Sequence, residues 1–178
     1  MAKKKFPLAH VYRLLEPGPV VLVTTAHAGR TNIMAMSWHM MIDFEPPIVG
    51  CVVSDRSHTF GILRKTKECV INIPTVDMVK KVVGIGSTSG RSVDKFKRFA
   101  LTPGAASYVK APLIEECYAN LECTLIDTRG AARYNLFILK VHKAWVRPLG
   151  KIVRTIHHCG RGRFRVDGSM ITVPSTIK

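Results

Sequence analysis

The sequence predicts a mainly β fold with a few short helices, and three features carry that prediction. Short runs of β-branched and apolar residues recur between Gly, Pro and Asn turn signals. Helical periodicity is brief and rare, so consecutive strands lack the crossover helices that parallel pairing needs. The chain has 178 residues, 47% hydrophobic and 22% charged, and a chain of this length buries roughly 70% of its unfolded surface. One core, needing neither disulfides nor a structural metal, is expected over residues 1–178, with a loose N-terminal tail over about residues 1–10.

Pro19 to Thr25 is a β-branched run, and Gly29 with Arg30 marks a turn into Thr31 to His39, so the two runs pair as a hairpin. Pro46 and Pro47 open the next run, Ile48 to Ser54, where a missing backbone donor is tolerated at the first strand residue. Ser57 or Thr59 caps a short helix through Phe60, Ile62 and Leu63. Cys69 to Ile73 is a buried strand. Thr75 with Asp77 starts a helix carrying Val76, Val79, Val82 and Val83 to a stop at Gly84. A third short helix is expected over Ser92 to Phe99. Ala119 to Asp127 alternates most clearly: Ala119, Leu121, Cys123 and Leu125 point one way and Asn120, Glu122 and Thr124 the other. Asn135 to Val146 is long enough to run along a barrel edge.

No apolar stretch exceeds Ile48 to Val53, far short of the ~20 residues a bilayer span requires, and Pro7, His10 and Arg13 interrupt any signal-like segment. A cytoplasmic protein without a membrane segment is the expectation. The five cysteines, Cys51, Cys69, Cys117, Cys123 and Cys159, form no CxxC pair, and three lie in apolar runs, which reads as reduced core thiols. Charge is the unusual quantity: 27 Lys plus Arg against 12 Asp plus Glu give a net charge of +15. That excess favours an anionic partner. Three readings are open, in order of weight: a solvated basic surface, a phosphorylated small molecule, and nucleic acid. Lysines and arginines are not interleaved with stacking aromatics as in single-strand binders.

The cluster Gly84-Ile85-Gly86-Ser87-Thr88-Ser89-Gly90-Arg91 is neither GxGxxG nor GxxxxGK[ST]. It supplies hydroxyls and backbone donors, and Arg91 and Lys95 follow at helical spacing. That kit suits a phosphate dianion, and equally a solvated loop with a charged helix face. Ser54-Asp55-Arg56-Ser57-His58-Thr59, at a strand-to-helix junction, is a second place for phosphate on a helix N-terminus, or a simple cap. Asn32 to His39 mixes Asn, Ser, Trp and small or sulfur residues in a strand, either as core or as a backbone that lets a flat heterocycle approach. His157-His158-Cys159 alternates in direction on a strand, so at most His157 and Cys159 share an ion, and no metal site is expected.

Taken in order, Asn32 with Met34 to Trp38, Pro46-Pro47, Ser54 to Thr59 leading to Ile62, and Glu68-Cys69-Val70-Ile71-Asn72-Ile73-Pro74 resemble the flavin reductase-like family with the FMN-binding split barrel, flavoredoxin branch. The match continues through Ser89-Gly90-Arg91, Asp94-Lys95-Phe96, Leu101, Ala111-Pro112, Ile114 and Leu121-Glu122-Cys123. The resemblance implies a Greek-key split β-barrel forming a homodimer, with FMN near the subunit interface and its ring within reach of NADH or NADPH. It implies that Met36, Ser37 and Trp38 line the isoalloxazine and that Cys51, Val52 and Ser54 face the ribityl side. Ser54, Arg56, Ser57, Thr59, Ser89, Arg91 and Lys95 would surround the phosphate, and Asn72 and Pro74 would close the ring pocket. The implied activity is NAD(P)H-dependent flavin oxidoreduction toward an unknown electron acceptor. The alternatives are a non-enzymatic FMN electron carrier and a basic nucleic-acid-binding β-barrel. Hydride arrival at FMN needs no general acid, so no catalytic residue is assigned beyond His157 and His158 as candidates bordering the ring. Arg161 and Arg163, on one face of a strand with His157 and Cys159, would hold the phosphates of the nicotinamide cofactor.

Overall fold

The computed structural model describes residues 2–148 and 153–174. Its strands are β1 (Lys4–Lys5), β2 (Val21–His27), β3 (Arg30–Met36), β4 (His39–Phe44), β5 (Pro47–Val52), β6 (Glu68–Ile73), β7 (Pro103–Gly104), β8 (Leu113–Ile114), β9 (Ala119–Asp127), β10 (Leu136–Val146), β11 (Ile156–His158) and β12 (Phe164–Val166). The helices are α1 (Tyr12–Leu15), α2 (His58–Thr66), α3 (Val79–Gly86), α4 (Lys95–Arg98) and α5 (Ala131–Tyr134), with 3-10 turns at Leu8–His10 and Val76–Met78. Every described strand pair is antiparallel, as expected where crossover helices are missing.

The main sheet runs β3-β2-β6-β9-β10-β5-β4, with β1 beside the far end of β10. Its two edge strands, β3 and β4, are consecutive in the chain and joined only by Ser37 and Trp38. Three residue steps span at most ~11 Å, so the sheet curls until its edges meet at this corner. They do not pair with each other, which makes the architecture a split barrel. The run from Thr31 to His39, expected as one strand, breaks at Ser37 and Trp38, and β4 follows it as a separate strand. No Gly, Pro or Asn marks the corner; it is fixed by pairing, Met36 with Val21 on one side and His39 with Cys51 on the other.

The barrel interior holds Val21, Val23, Val49, Cys51, Cys69, Ile71, Leu121, Cys123, Phe137 and Leu139. On the outer face of β2 and β3, α3 and α4 cover Leu22 and Ile33 with Val82, Ile85 and Phe96. β9 is buried on both faces from Ala119 to Cys123, where its polar side chains find internal partners: Glu122 accepts from the Trp145 indole at 2.7 Å and from the amides of Ser107, Tyr108 and Val109.

Other expectations are corrected. The N-terminal tail is not loose where described: β1 ladders onto Trp145 and Val146, and Phe6 and Leu8 pack on the barrel core. Gly84 does not stop its helix, which continues to Gly86; a Cβ there would lie 2.4 Å from Phe99 Cε1, so the missing side chain admits Phe99. The third helix begins at Lys95, because Asp94 caps it by accepting from Lys97 N at 3.1 Å. Arg91 therefore lies before the helix and shares no helix face with Lys95. The basic segment Arg147 to Arg165 is partly outside the described residues, and Arg161 and Arg163 sit in the turn between β11 and β12, not on a strand. Gly160, Arg161 and Gly162 all have positive φ there, +81°, +50° and +70°, which ends the strand.

Candidate functional site

The outer flank of β3 is one wall of a groove made of two adjoining cavities of about 370 and 350 Å3 that share Ala35, Gly86 and Ser87. Each falls in the size range of small-molecule sites. The groove changes character along its length, apolar beside Met36 and polar beside Asn32.

At the polar end, α2 presents its N-terminus. Ser57, extended and held out of the helix, caps it by accepting from Phe60 N at 3.2 Å. The amides of His58 and Thr59 have no intrahelical acceptor and point outward with the positive end of the helix dipole. Opposite stands the loop Ser87 to Arg91, where Arg91 Nη1 donates to the Arg56 carbonyl at 3.3 Å across the groove end. The lining contains Arg56, Arg91 and Lys95 but no Asp or Glu. Neither Arg56 nor Arg91 pairs with a carboxylate among the described residues. Burial, and then the charges of Arg91, Arg30 and Lys95, hold the His58 imidazole below its ordinary pKa, a sign of the uncompensated positive field. Hydroxyls, free amides at a helix start and unpaired cations form a donor set that fits a phosphate dianion.

Lys95 differs from the two arginines. It is 5% exposed, and its ammonium donates to the carbonyls of Ile33 and Ile85 at 2.8 Å each, tying β3 to the end of α3 beneath the groove. Burial lowers its pKa to about 8.

At the apolar end, Val20, Ala35, Met36, Val82, Val83 and Phe164 form a slot, with Ser37, His158 and Gly162 at its rim. The β11–β12 hairpin supplies one wall and is anchored by Val20 N donating to Ile156 O at 2.7 Å. The apolar walls of the slot suit the face of a planar ring, and β3 leads from the slot to Arg56 and Arg91.

Of the residues expected from sequence, the structure gathers Met36, Ser37, Arg56, Ser57, Thr59, Ser89, Arg91 and Lys95 along this groove. Others lie elsewhere. Trp38 is 71% exposed at the corner and lines neither cavity, Cys51 faces the barrel interior, and Val52 and Ser54 line neither cavity. Asn72 is consumed structurally: its Nδ2 donates to Leu22 O at 2.9 Å, and its Oδ1 accepts from Ile114 N and Asn120 Nδ2. Pro74, one residue beyond β6, is buried away from the groove. The two histidines separate as strand alternation requires: His158 faces the slot, whereas His157 Nε2 contacts Asp167 Oδ1 at 2.6 Å and Nδ1 contacts Gly18 O at 3.1 Å. Among the described residues, no three His, Cys, Asp or Glu side chains gather.

The groove also contains Asn32, Val82, Gly162 and Phe164, which are not among the site residues expected from sequence. Asn32 sat in a quoted motif, but Gly162 and Phe164 carry no local signal, since a hairpin folded back from the chain end places them.

Residues 13–160 match the flavin reductase like domain. The uncharacterized protein YddH of Escherichia coli K12 is 33% identical over 93% of this chain and 95% of its own. Among solved structures, an FMN-binding domain of a flavin reductases-like enzyme from Shewanella baltica superposes with a TM-score of 0.90 at 27% identity, covering 97% of this chain and 98% of that one. The flavoredoxin of Desulfovibrio vulgaris shares the fold, with a TM-score of 0.80 at 22% identity, over 90% and 92% of the two chains. With the split barrel and the graded groove on β3, these similarities establish that the chain belongs to the flavin reductase-like family.

Proposed function

We propose that the protein binds FMN in the β3 groove and acts as an NAD(P)H-dependent flavin oxidoreductase. The observation that carries this reading is the polarity gradient of the groove: a carboxylate-free phosphate seat at one end and an apolar slot at the other, joined along one strand. Bound FMN supplies hydride acceptance and onward electron transfer. The chain's own residues bind and orient it. Ser57, Thr59, Ser89, Arg56 and Arg91 hold the phosphate, Lys95 fixes the floor between β3 and α3, and Val82, Met36 and Phe164 exclude water from the ring. Arg161 and Arg163 flank Gly162 at the slot's rim, where two guanidinium groups can meet the phosphates of an incoming nicotinamide nucleotide.

Homodimerisation belongs to the same reading. Trp38, Met40, Ile42 and Phe44 form an exposed apolar stripe on the corner and the edge strand β4, the kind of surface that marks an interface. The electron acceptor is a further protein or small molecule supplied from outside the groove.

Anaerobic stopped-flow mixing of FMN-loaded protein with NADH or NADPH tests the activity. Bleaching of the flavin that slows with added salt, and in an Arg161→Ala/Arg163→Ala double variant, is the expected result, because charge steering weakens beyond ~8–10 Å in salt. Flavin that stays oxidised with both nucleotides yet is reduced by a chemical donor would make the protein an electron carrier. Protein that takes up no flavin and binds nucleic acid would overturn the reading altogether.

A further inference from the structure

Gly90 stands in the phosphate loop without a conformational reason for glycine. Its φ is not in the left-handed region, so any residue could adopt its backbone. The requirement is one of contact. A Cβ on Gly90 would lie 1.9 Å from Asn32 Oδ1 and 2.7 Å from Asn32 Cγ, with His58 Cδ2 at 3.4 Å. The loop backbone therefore rests directly on the Asn32 carboxamide.

Asn32 is placed to bear that load. It is 4% exposed, and its Nδ2 donates to Thr59 Oγ1 at 2.9 Å, while Thr59 is 1% exposed at the start of α2. Its Oδ1 is buried and receives no hydrogen-bond donor. A buried amide oxygen left without a donor is unfavourable, so packing alone does not explain an asparagine here. What it provides is a rigid spacer: one end fastened to the helix that carries Ser57 and Thr59, the other forming the seat on which Ser89-Gly90-Arg91 lies.

We infer that Asn32 and Gly90 are paired positioning residues that set the separation between the two walls of the phosphate seat. Turning the Asn32 carboxamide out of the way would break its bond to Thr59 in a buried site. A side chain at position 90 must then lift the loop by about an ångström to reach ordinary contact, carrying Ser89 and Arg91 away from Arg56 and Ser57. A 1 Å displacement is enough to spoil a charge-assisted contact geometry. The apolar slot, bounded by other residues, is unaffected. The pair thus governs selectivity for a phosphorylated flavin over its unphosphorylated parent, a deepening that rests on the FMN reading.

A double-variant cycle tests it. Wild type, Gly90→Ala, Asn32→Ala and the double variant are titrated with FMN and with riboflavin by flavin fluorescence, and the thermal midpoint of each flavin-free protein is recorded with phosphate and with chloride at equal ionic strength. Gly90→Ala should weaken FMN at least tenfold, leave riboflavin within about twofold, and lose the stabilisation that phosphate gives the wild type. In the double variant, where the carboxamide no longer blocks the Cβ, FMN should bind more tightly than in Gly90→Ala alone. Equal losses for both flavins, unchanged FMN affinity in Gly90→Ala, or a double variant no better than Gly90→Ala would overturn the inference. If phosphate stabilises the wild type and not Gly90→Ala while no variant binds FMN, the seat stands and the FMN reading falls.

Discussion

Lys95 permits a quantitative test of the phosphate seat through pH. Its ammonium is enclosed beneath the groove with only the carbonyls of Ile33 and Ile85 as partners, and burial brings its pKa from 10.5 to about 8. At 1.36 kcal/mol per unit, keeping it charged costs the folded, ligand-free protein about 3 kcal/mol. The folded value lies below the unfolded one, so this cost is present in full below pH 8, where both states are protonated. It is relieved between pH 8 and 10.5, where the folded state releases its proton first and stability rises. A phosphate dianion in the seat favours the charged form and reverses the release. Above pH 8 the binding of FMN must therefore take up a proton, and affinity should fall on the order of tenfold between pH 7.5 and 9. Neither His58, which is held below its ordinary value, nor the phosphate monoester, which has lost its second proton near pH 6, changes charge in that window. Fluorescence titrations at half-unit intervals from pH 7 to 9.5, with FMN and with riboflavin, make the measurement, and Lys95→Met supplies the control. FMN affinity should decline in the wild type, stay level in Lys95→Met, and riboflavin should be level in both. A wild-type FMN affinity that is flat to pH 9.5, or a parallel decline in Lys95→Met, would refute the placement of this charge beneath the phosphate.

Three further outcomes are expected. Arg91→Ala, which removes an unpaired cation from the groove end, should weaken FMN by about ten- to a hundredfold, since one charge-assisted contact contributes roughly 1.5–3 kcal/mol, and should leave riboflavin unchanged in the same titration. Light scattering should report about twice the chain mass of 19.8 kDa, falling to the single-chain mass in Ile42→Lys, which puts a charge into the β4 stripe. In Glu122, burial disfavours the carboxylate, but the Trp145 indole and the Ser107, Tyr108 and Val109 amides outweigh it and hold the pKa below the ordinary value. Its contribution is present above the unfolded pKa and lost as pH falls through the folded one, so urea melts of Glu122→Gln should show a loss of about 1.5–3 kcal/mol at pH 7 that shrinks toward pH 3.

The local chemistry of this chain was readable from its residues. Alternation over Ala119 to Asp127 set a strand that the structure reproduces residue for residue, because side-chain direction has a fixed period of two. Ser57 capped α2 because its hydroxyl reaches an amide three residues on, a contact that needs no other part of the fold. The ordered motifs likewise pointed to the family, and Arg56, Ser57, Ser89 and Arg91 proved to share one groove. What the tertiary structure decided was which polar groups face one another across the sheet. Asn32 and Asn72 look alike in sequence, each in a strand among apolar neighbours; register aims one at Thr59 and Gly90 and the other at Ile114 and Asn120. Arg91 and Lys95 look like one helix face, yet a cap at Asp94 starts the helix after Arg91 and sends Lys95 beneath the floor. The closing of the barrel behind the β3–β4 corner rests on β5 pairing with β10, and the return of the β11–β12 hairpin to the slot rests on Val20 N donating to Ile156 O, both contacts between distant segments. Those pairings depend on which surfaces the whole barrel must bury, and no short window of sequence contains that information.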